Sequence, residues 1–292
     1  MFAITGISGR VGGAAARTLH AYGHSLRAVL RDRAKAAPWA ARGAEIALAD
    51  FADVDALRAA FTGVEGVFVM IPPDFDPLPG YPETRAMIAA VREALEAAAP
   101  PKVVCLSSVG AQHRHGLGLI AQSALLEREL GRLSIPLACV RAAWFMENAG
   151  ADVATARTRG VIASHLSPLD RAIPMVATAD IGAMVAELLM QRWTGTRIVE
   201  LEGPRRYSPN GVAAVLADLL HRPVRAELVP RDRWDASFRA AGHRHPEARI
   251  AMLDGFNSGW ITFAKQGCEH HCGATALDAA LRPLITESAH AA

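Results

Sequence analysis

Three glycines near the start of the chain have the spacing of a phosphate-binding loop. They follow the short apolar run Phe2 to Thr5 in the pattern G-x-x-G-x-x-G. The first glycine permits a sharp turn, the second lets backbone amides approach an anion, and the third lets a helix pack closely on a strand. The helix amino terminus then presents N–H groups to a pyrophosphate. The predicted dinucleotide-binding loop consists of Gly6, Ile7, Ser8, Gly9, Arg10, Val11 and Gly12. The alternative is a tight glycine turn without a ligand.

The residues after the second and third apolar runs indicate which dinucleotide is bound. NAD sites usually have Asp or Glu at the end of the second strand, whereas this chain has Arg31. A guanidinium can pair with a 2′-phosphate and stack on adenine, and Lys35 is near enough in sequence to contribute. We therefore predict NADP (NADPH); the alternative is that Arg31 is solvated and Asp32 binds the ribose. Asp50 and Phe51 are predicted to line the adenine, with a helix cap as the alternative role for Asp50.

The elements that must position these residues alternate along the chain. Short β-branched runs alternate with Ala-rich amphipathic stretches, which is the pattern of βαβ units. Several runs are apolar on both faces, as a parallel sheet covered by helices requires. The predicted strands are Phe2 to Thr5, Ser25 to Leu30, Glu45 to Ala49, Val67 to Ile71, Val103 to Ser107, Leu137 to Val140 and Ile198 to Leu201. The pattern predicts an α/β fold with a Rossmann doubly wound parallel sheet.

The strict alternation of strands and helices loosens after about Asn148. We predict an NAD(P)-binding Rossmann domain over residues 1–150 and a smaller interleaved α/β substrate lobe over residues 151–292. Residues 198–201 are predicted to return to the main sheet. The two parts should therefore interleave, without a clean linker between them.

Composition argues against several classes of partner. The chain has 31 basic and 29 acidic residues, a net charge of +2 and no block of like charge, so neither nucleic acid nor an anionic membrane is an expected partner. No apolar run approaches the roughly 18 residues of a membrane span. Met1 leads directly into a predicted strand, so we expect no signal peptide and a cytoplasmic protein. A homodimer is left open.

Further motifs carry a family resemblance. The strand end Val103 to Ser108, the run Val140 to Asn148 and the segment Glu202 to Pro204 follow the glycine loop and Arg31 in order. With these residues the chain resembles the NmrA-like family of atypical short-chain dehydrogenase/reductases over nearly its whole length. That family contains NADPH-dependent quinone reductases, azo-dye reductases and redox sensors that bind the dinucleotide without turnover.

The resemblance also implies which residues contact the cofactor. They are the glycine loop, Arg31, Ile71, Pro72 and Ser107. Residues 142–145 would lie near the nicotinamide.

The chain lacks the usual proton donor of short-chain dehydrogenases, a Tyr-x-x-x-Lys pair in which Lys lowers the Tyr pKa. Its tyrosines and lysines are Tyr22, Tyr81, Tyr207, Lys35, Lys102 and Lys265, and none has that spacing. We therefore assign no catalytic residue. Hydride transfer needs only a nicotinamide held against an acceptor, and a quinone or azo group can take its proton from water.

Four residues are predicted to bind the acceptor. Trp144 and Phe145 would stack on a flat aromatic molecule, Trp260 would form a wall, and Ser108 would hold an acceptor oxygen. The alternative for the aromatic residues is an ordinary place in the core. The predicted function is an NADPH-dependent reductase of a small aromatic acceptor, a quinone or an azo compound. The alternative is an NADP(H)-binding redox sensor without turnover.

One cluster of metal-ligand residue types is assigned no metal. Cys268 to Cys272 contains two cysteines and two histidines, but structural zinc sites usually draw a second ligand pair from elsewhere in the chain. His243 and His245 are the available second pair. We predict that no metal is bound and that the segment is polar surface.

Overall fold

A parallel sheet of eight strands organises the protein, whose computed structural model describes residues 1–264 and 266–290. The strands of the chain are β1 (Phe2–Ile4), β2 (Leu26–Leu30), β3 (Glu45–Leu48), β4 (Gly66–Val69), β5 (Val103–Ser108), β6 (Leu137–Ala142), β7 (Trp144–Phe145), β8 (Val161–Ser164), β9 (Met175–Val176), β10 (Thr196–Glu202), β11 (Arg225–Leu228) and β12 (Glu269–Cys272). The main sheet has the order β3-β2-β1-β4-β5-β6-β10-β12. Strand order reverses between β1 and β4, where doubly wound sheets bind ligands. The predicted Rossmann fold is confirmed.

Some of the helices cover the two faces of this sheet, and others belong to a smaller lobe. The helices of the chain are α1 (Arg10–Ala21), α2 (Ala37–Ala40), α3 (Val54–Phe61), α4 (Pro82–Ala98), α5 (Ala121–Leu130), α6 (Val153–Arg159), α7 (Thr178–Met190), α8 (Pro209–Leu220), α9 (Trp234–Ala240), α10 (Glu247–Ser258) and α11 (Leu277–His290). Short 3₁₀ segments lie at Arg33–Lys35, Gly118–Ile120, Met146–Asp152 and Arg231–Arg233.

Local signals in the sequence explain where several helices begin. The Asp53 carboxylate accepts the N–H of Ala56, 2.9 Å away, at the start of α3. The Ser208 hydroxyl accepts the N–H of Gly211 in the first turn of α8. Pro82 occupies the first position of α4, where a missing N–H costs nothing.

The core consists of one apolar layer on each face of the main sheet. Helices α1 and α7 pack on one face, burying Leu19 and Ile181, while α3, α4 and α5 bury side chains such as Val91 and Leu126 on the other. The contact between α1 and α7 is very close, because a Cβ on Gly182 would lie 2.4 Å from the Cβ of Ala14. A larger residue at position 182 would force the two helices apart.

A smaller lobe lies beyond the carboxyl ends of β5, β6 and β10. It contains two separate parallel strand pairs, β7 with β9 and β8 with β11. A third apolar cluster fills it, including Met146, Ile162 and Leu216. The chain enters this lobe after β6, returns to the main sheet as β10, and leaves and returns once more as β12. The division of the chain into two parts at residue 150 stays a prediction. Lys265 and residues 291–292 lie outside the described residues.

The segment Cys268 to Cys272, predicted to be polar surface, is polar and partly exposed, and it also forms a strand. Residues 269–272 form β12, an edge strand that pairs in parallel with β10. Glu269 forms an ion pair with Arg197 on the neighbouring strand, and Nε2 of His270 lies 3.0 Å from the carboxylate of Glu202. Apolar patterning does not reveal this strand, because an edge strand pairs with only one neighbouring strand and can be polar throughout.

Two further features concern metals and membranes. Among the described residues, no group of three or more His, Cys, Asp or Glu side chains is arranged to hold a metal ion. His243 lies beside Asp76, 4.0 Å away, and the backbone N–H of His245 donates to the same carboxylate.

No helix in the described part of the chain combines the length and apolarity of a membrane span.

Candidate active site

The glycine loop joins β1 to α1 in a conformation that requires small residues. Gly6 has φ +60°, a left-handed conformation that favours glycine. The N–H of Gly9 donates to the carbonyl of Gly6 at 2.9 Å, and a Cβ on Gly12 would lie only 2.4 Å from that carbonyl oxygen. Helix α1 begins immediately afterwards at Arg10. The turn and the helix amino terminus therefore fit a pyrophosphate.

The remaining predicted loop residues differ in their exposure. Ser8 and Arg10 are exposed at the turn, while Ile7 and Val11 are buried in the core beneath it. The two buried side chains anchor the loop, and its outer residues face solvent.

Met70 borders the loop, a contact that sequence reasoning missed. Its N–H donates to the hydroxyl of Thr5 at 2.8 Å, and its terminal methyl lies 2.3 Å from where a Cβ of Gly6 would be. The unbranched methionine side chain adapts readily to its surroundings. Ile71 and Pro72 follow, both half-buried.

Three cations lie exposed just past the end of β2. Arg31, Arg33 and Lys35 make no ion pair with any described residue. The Asp32 carboxylate instead accepts the N–H of Ala34 at 2.9 Å and caps the 3₁₀ segment. The acid is thus engaged locally, while the basic groups remain available for a 2′-phosphate.

Asp50 and Phe51 have different environments. The Asp50 carboxylate is exposed and accepts the N–H of Ala52 at 2.9 Å, within its own turn. The Phe51 ring is buried in the core with Leu57 and Ile88. Their predicted contact with adenine stays a prediction.

The two serines at the end of β5 hydrogen-bond within the protein. Ser107 is buried, and its hydroxyl donates to Glu127 at 2.5 Å. Ser108 is half-buried, and its hydroxyl donates to the carbonyl of Val109 at 3.2 Å. Ser107 thus joins a buried polar network.

That network crosses three neighbouring strands. Arg141 on β6 lies between Ser107 on β5 and Glu200 on β10 in the sheet register. Its guanidinium makes two hydrogen bonds to Glu127, at 2.9 and 2.7 Å, and lies 3.8 Å from Glu200. Glu200 also accepts the N–H of Ala264 at 2.8 Å. The network fixes the carboxyl edge of the sheet relative to the segment that precedes β12.

Trp144, just past β6, lines a cavity of about 270 Å³ in the smaller lobe. Its ring packs edge-on against Phe256, with centroids 5.2 Å apart. Other residues around the cavity include Asp152, His165, Phe238, Arg249 and Met252. The cavity therefore combines aromatic walls with ionisable groups, directly beyond the carboxyl edge of the sheet.

Burial perturbs the ionisable groups of this cavity. It raises the pKa of Asp152 to about 6. Burial, together with the charge of Arg249, lowers the pKa of His165, whose ring stacks on Phe238 at 4.9 Å. Sequence reasoning missed all three ionisable residues, which lie far apart in the chain and belong to no motif.

The other predicted acceptor residues lie elsewhere. Trp260 is 39% exposed and stacks with His113 and His115, at centroid distances of 4.1 and 5.3 Å. Its indole N–H donates to the carbonyl of His115 at 3.0 Å, and it does not line the Trp144 cavity. Phe145 is half-buried against the main core. Their acceptor roles stay predictions.

A second cavity, of about 450 Å³, lies between the loops at 77–81 and 114–118. The Tyr81 hydroxyl on its wall donates to the carbonyl of Gly118 at 2.8 Å, and burial raises the pKa of Tyr81. It shares no lining residue with the Trp144 cavity and, unlike that cavity, has none next to the end of β6. We therefore treat the Trp144 cavity as the candidate acceptor site.

The fold and the glycine loop define a dinucleotide-binding Rossmann protein. The chain belongs to the NmrA-like family, whose model matches residues 1–238. The resemblance predicted from the sequence is confirmed.

Two curated relatives share 25% of their residues with this chain. One is quinone oxidoreductase 2 of Escherichia coli, matched over 244 residues that cover 83% of this chain and 82% of that protein. The other is an NAD(P)H azoreductase of Xenophilus azovorans, matched over 225 residues, 77% and 76% of the two chains.

Solved structures show the same fold. The NADPH complex of the Escherichia coli NADPH-dependent quinone oxidoreductase has a TM-score of 0.79 at 23% identity, covering 97% of this chain and 99% of that one. A triphenylmethane reductase of Citrobacter has a TM-score of 0.78 at 19% identity, covering 98% and 99%.

Proposed function

We propose that the protein is an NADPH-dependent oxidoreductase that transfers hydride to a flat conjugated acceptor, a quinone or an azo compound. The observation that carries this proposal is the position of Trp144. It lies immediately past β6 and forms a wall of the cavity beyond the carboxyl edge of the sheet. Rossmann enzymes bind their ligands at this edge.

The cofactor assignment to NADP(H) is supported by the loop and the cations. The glycine turn accommodates a pyrophosphate where side chains would collide with the backbone. Arg31 and Lys35 lack ion-pair partners among the described residues, while Asp32 is engaged as a cap. The NAD(P)H azoreductase relative and the NADPH-bound quinone oxidoreductase structure agree with this choice.

The acceptor assignment is supported by the walls of the cavity. Trp144 and Phe238 offer aromatic surface, and Met252 adds an adaptable apolar contact. The volume of about 270 Å³ is near the lower end of ligand pockets, roughly 300 Å³. A small acceptor of one or two fused rings suits this space.

The tyrosines are not arranged to supply the proton that completes the reduction. The Tyr81 hydroxyl donates to Gly118, and the Tyr207 hydroxyl accepts the N–H of Leu277 at 3.0 Å. Tyr22 is exposed on the surface. NADPH supplies the hydride, the cavity residues orient the acceptor, and the proton comes from water.

The experiment is a turnover assay that follows NADPH absorbance. The purified protein is mixed with NADPH and, separately, benzoquinone, naphthoquinone and an azo dye. Acceptor-dependent oxidation of NADPH above the protein-free rate is expected. NADPH binding is measured in parallel by fluorescence. Binding without turnover of any acceptor would contradict the reductase and favour the NADP(H) sensor.

A further inference from the structure

Arg249 occupies an unusual position on the Trp144 cavity. It lies in the first turn of α10, and its guanidinium carbon is 5.4 Å from the ring centroid of Phe75 and 5.5 Å from that of Phe238. The side chain is half-buried and lines the cavity with Trp144 and His165. Two aromatic rings therefore hold its charge at the edge of the cavity.

This guanidinium forms no ion pair with any described residue, although Asp76 lies near enough to act on its charge. Its Nε is buried and makes no hydrogen bond, and the same is true of Nε2 of His165 on the same cavity. Buried polar groups are normally satisfied, so each exception needs an explanation. Both residues line the cavity, although these two nitrogens are themselves buried beneath its surface.

The acids around α10 are already engaged by other groups. Asp76 accepts the backbone N–H groups of Arg244 and His245, at 3.0 and 2.6 Å. The other two acids, in α10 itself, form ion pairs: Glu247 with Arg239 and Asp254 with Arg231. Arg249 is thus left without an ion pair among the described residues, and the other ionisable acid that lines the cavity, Asp152, has its pKa raised to about 6 by burial.

An uncompensated half-buried charge is costly, and an arginine does not relieve the cost by losing its proton at neutral pH. Burial lowers the pKa of Arg249, which Asp76 partly offsets. A bound carboxylate would supply the missing partner, since a guanidinium can bind it through two parallel hydrogen bonds. Adjacent aromatic rings would contact the remainder of such a ligand.

We propose that Arg249 is an anion receptor, and that the cavity binds aromatic molecules bearing a carboxylate, the ring against Trp144 and the carboxylate on Arg249. This inference rests on the proposed function, and it identifies the acceptor as a conjugated aromatic compound that carries an acidic substituent. The specificity comes from the unpaired guanidinium, because the neutral counterpart of such a ligand would leave it unpaired.

The test uses redox-inert probes, so that it does not depend on turnover. Naphthoate and naphthamide have the same ring system and differ in charge. Their dissociation constants are measured by calorimetry with the full-length protein. Naphthoate should bind at least about tenfold more tightly, because hydrogen bonds to charged groups are the stronger ones. Equal affinities of the unmodified protein for the two probes would overturn the proposal.

Two variants assign the preference to Arg249. Arg249→Met should abolish the preference for naphthoate, while Arg249→Lys should retain part of it. Arg233→Met is the matched control, because this exposed arginine forms no ion pair with any described residue and its removal changes the net charge equally. Retention of the full preference in Arg249→Met, or its loss in Arg233→Met, would contradict the assignment.

The outcomes separate this inference from the proposed function. Turnover of neutral quinones without a preference for naphthoate would leave the reductase intact and overturn the anion receptor. Arg249-dependent naphthoate binding without turnover of any acceptor would support the receptor and contradict the reductase.

Discussion

Glu127 and Arg141 form a two-point ion pair beneath the carboxyl edge of the sheet, with their side chains only 11% and 9% exposed. The pair links α5 to β6, and through Ser107 and Glu200 it reaches β5 and β10. A charge buried this deeply is tolerated in the folded protein only when an opposite charge lies beside it.

Glu127→Gln should therefore destabilise the protein severely. Removing one partner of a buried ion pair costs about 3–5 kcal/mol, and Arg141 would keep only Glu200, 3.8 Å away, as a counter-charge. Urea unfolding monitored by circular dichroism measures the loss. Glu129→Gln is the control in the same helix, since its partner Arg132 is exposed and the pair should contribute less than about 1 kcal/mol. Similar small losses for the two variants would contradict the structural role.

Arg31→Glu should reverse or abolish the preference for NADPH over NADH. Charge-assisted hydrogen bonds to a 2′-phosphate are worth about 1.5–3 kcal/mol, so NADPH affinity should fall at least about tenfold while NADH affinity changes little. Fluorescence titration with both cofactors provides the measurement. Arg42→Glu, an exposed arginine beyond α2, is the charge-matched control. Equal affinities of the unmodified protein for the two cofactors would refute the prediction.

Trp144→Ala should mainly raise the KM for aromatic acceptors. Stacking contributes to ground-state and transition-state binding alike, so kcat should change little. Initial rates with naphthoquinone at saturating NADPH measure both constants. Trp193→Ala is the control, because this tryptophan lies before β10 beside Lys102 and Arg197, at the opposite end of the strand. A fall in kcat with unchanged KM would argue against acceptor stacking.

Tyr81→Phe and Ser108→Ala should each leave most of the turnover intact. Removal of an obligatory general acid lowers the rate by roughly 10²–10⁴-fold, and the hydroxyls of these residues donate to backbone carbonyls instead. The comparison uses kcat with one quinone and a separate measurement of NADPH affinity. If either replacement removed turnover while NADPH still bound, a dedicated proton donor would exist.

Asp152→Asn should make the protein more stable at neutral pH. Burial raises the pKa of its carboxyl from the ordinary value of 3.8 to about 6 in the folded protein, so the folded state binds the proton more tightly. The contribution of Asp152 to stability is therefore greatest below the unfolded pKa and is lost as the pH rises through about 6. At pH 7 the variant should gain up to about 3 kcal/mol.

Urea unfolding at a series of pH values measures this effect. The difference between the Asp152→Asn variant and the unmodified protein should appear between about pH 4 and pH 6. Asp55→Asn, at an exposed position in α3, should show no such window. A pH-independent difference for Asp152→Asn would show that the carboxyl titrates normally.

The sequence predicted the main sheet because its signals are local. Apolar runs such as Val103 to Ser107 reveal a buried strand on their own, and the spacing of Gly6, Gly9 and Gly12 depends only on the turn they occupy. The edge strand β12 has no such signal, since its polar groups find their partners on β10, among them Arg197.

The candidate acceptor site could be predicted only in part. Trp144 was found because it directly follows a predicted strand. Asp152, His165 and Arg249 come from a 3₁₀ segment, a loop after β8 and α10, and only tertiary packing brings them to one cavity. Trp260 illustrates the reverse case, an aromatic residue whose ring stacks with two histidines outside that cavity.

The close packing of α7 on α1 at Gly182 has a consequence for biosynthesis. Helix α1 carries the glycine loop at its amino terminus, yet the helix that buries its face emerges only after the chain has passed through β7, β8 and β9. Chains emerge from the ribosome amino terminus first. A nascent chain ending near residue 150 therefore exposes the apolar side of α1, and the nucleotide-binding half acquires its native packing only once α7 and β10 have been synthesised.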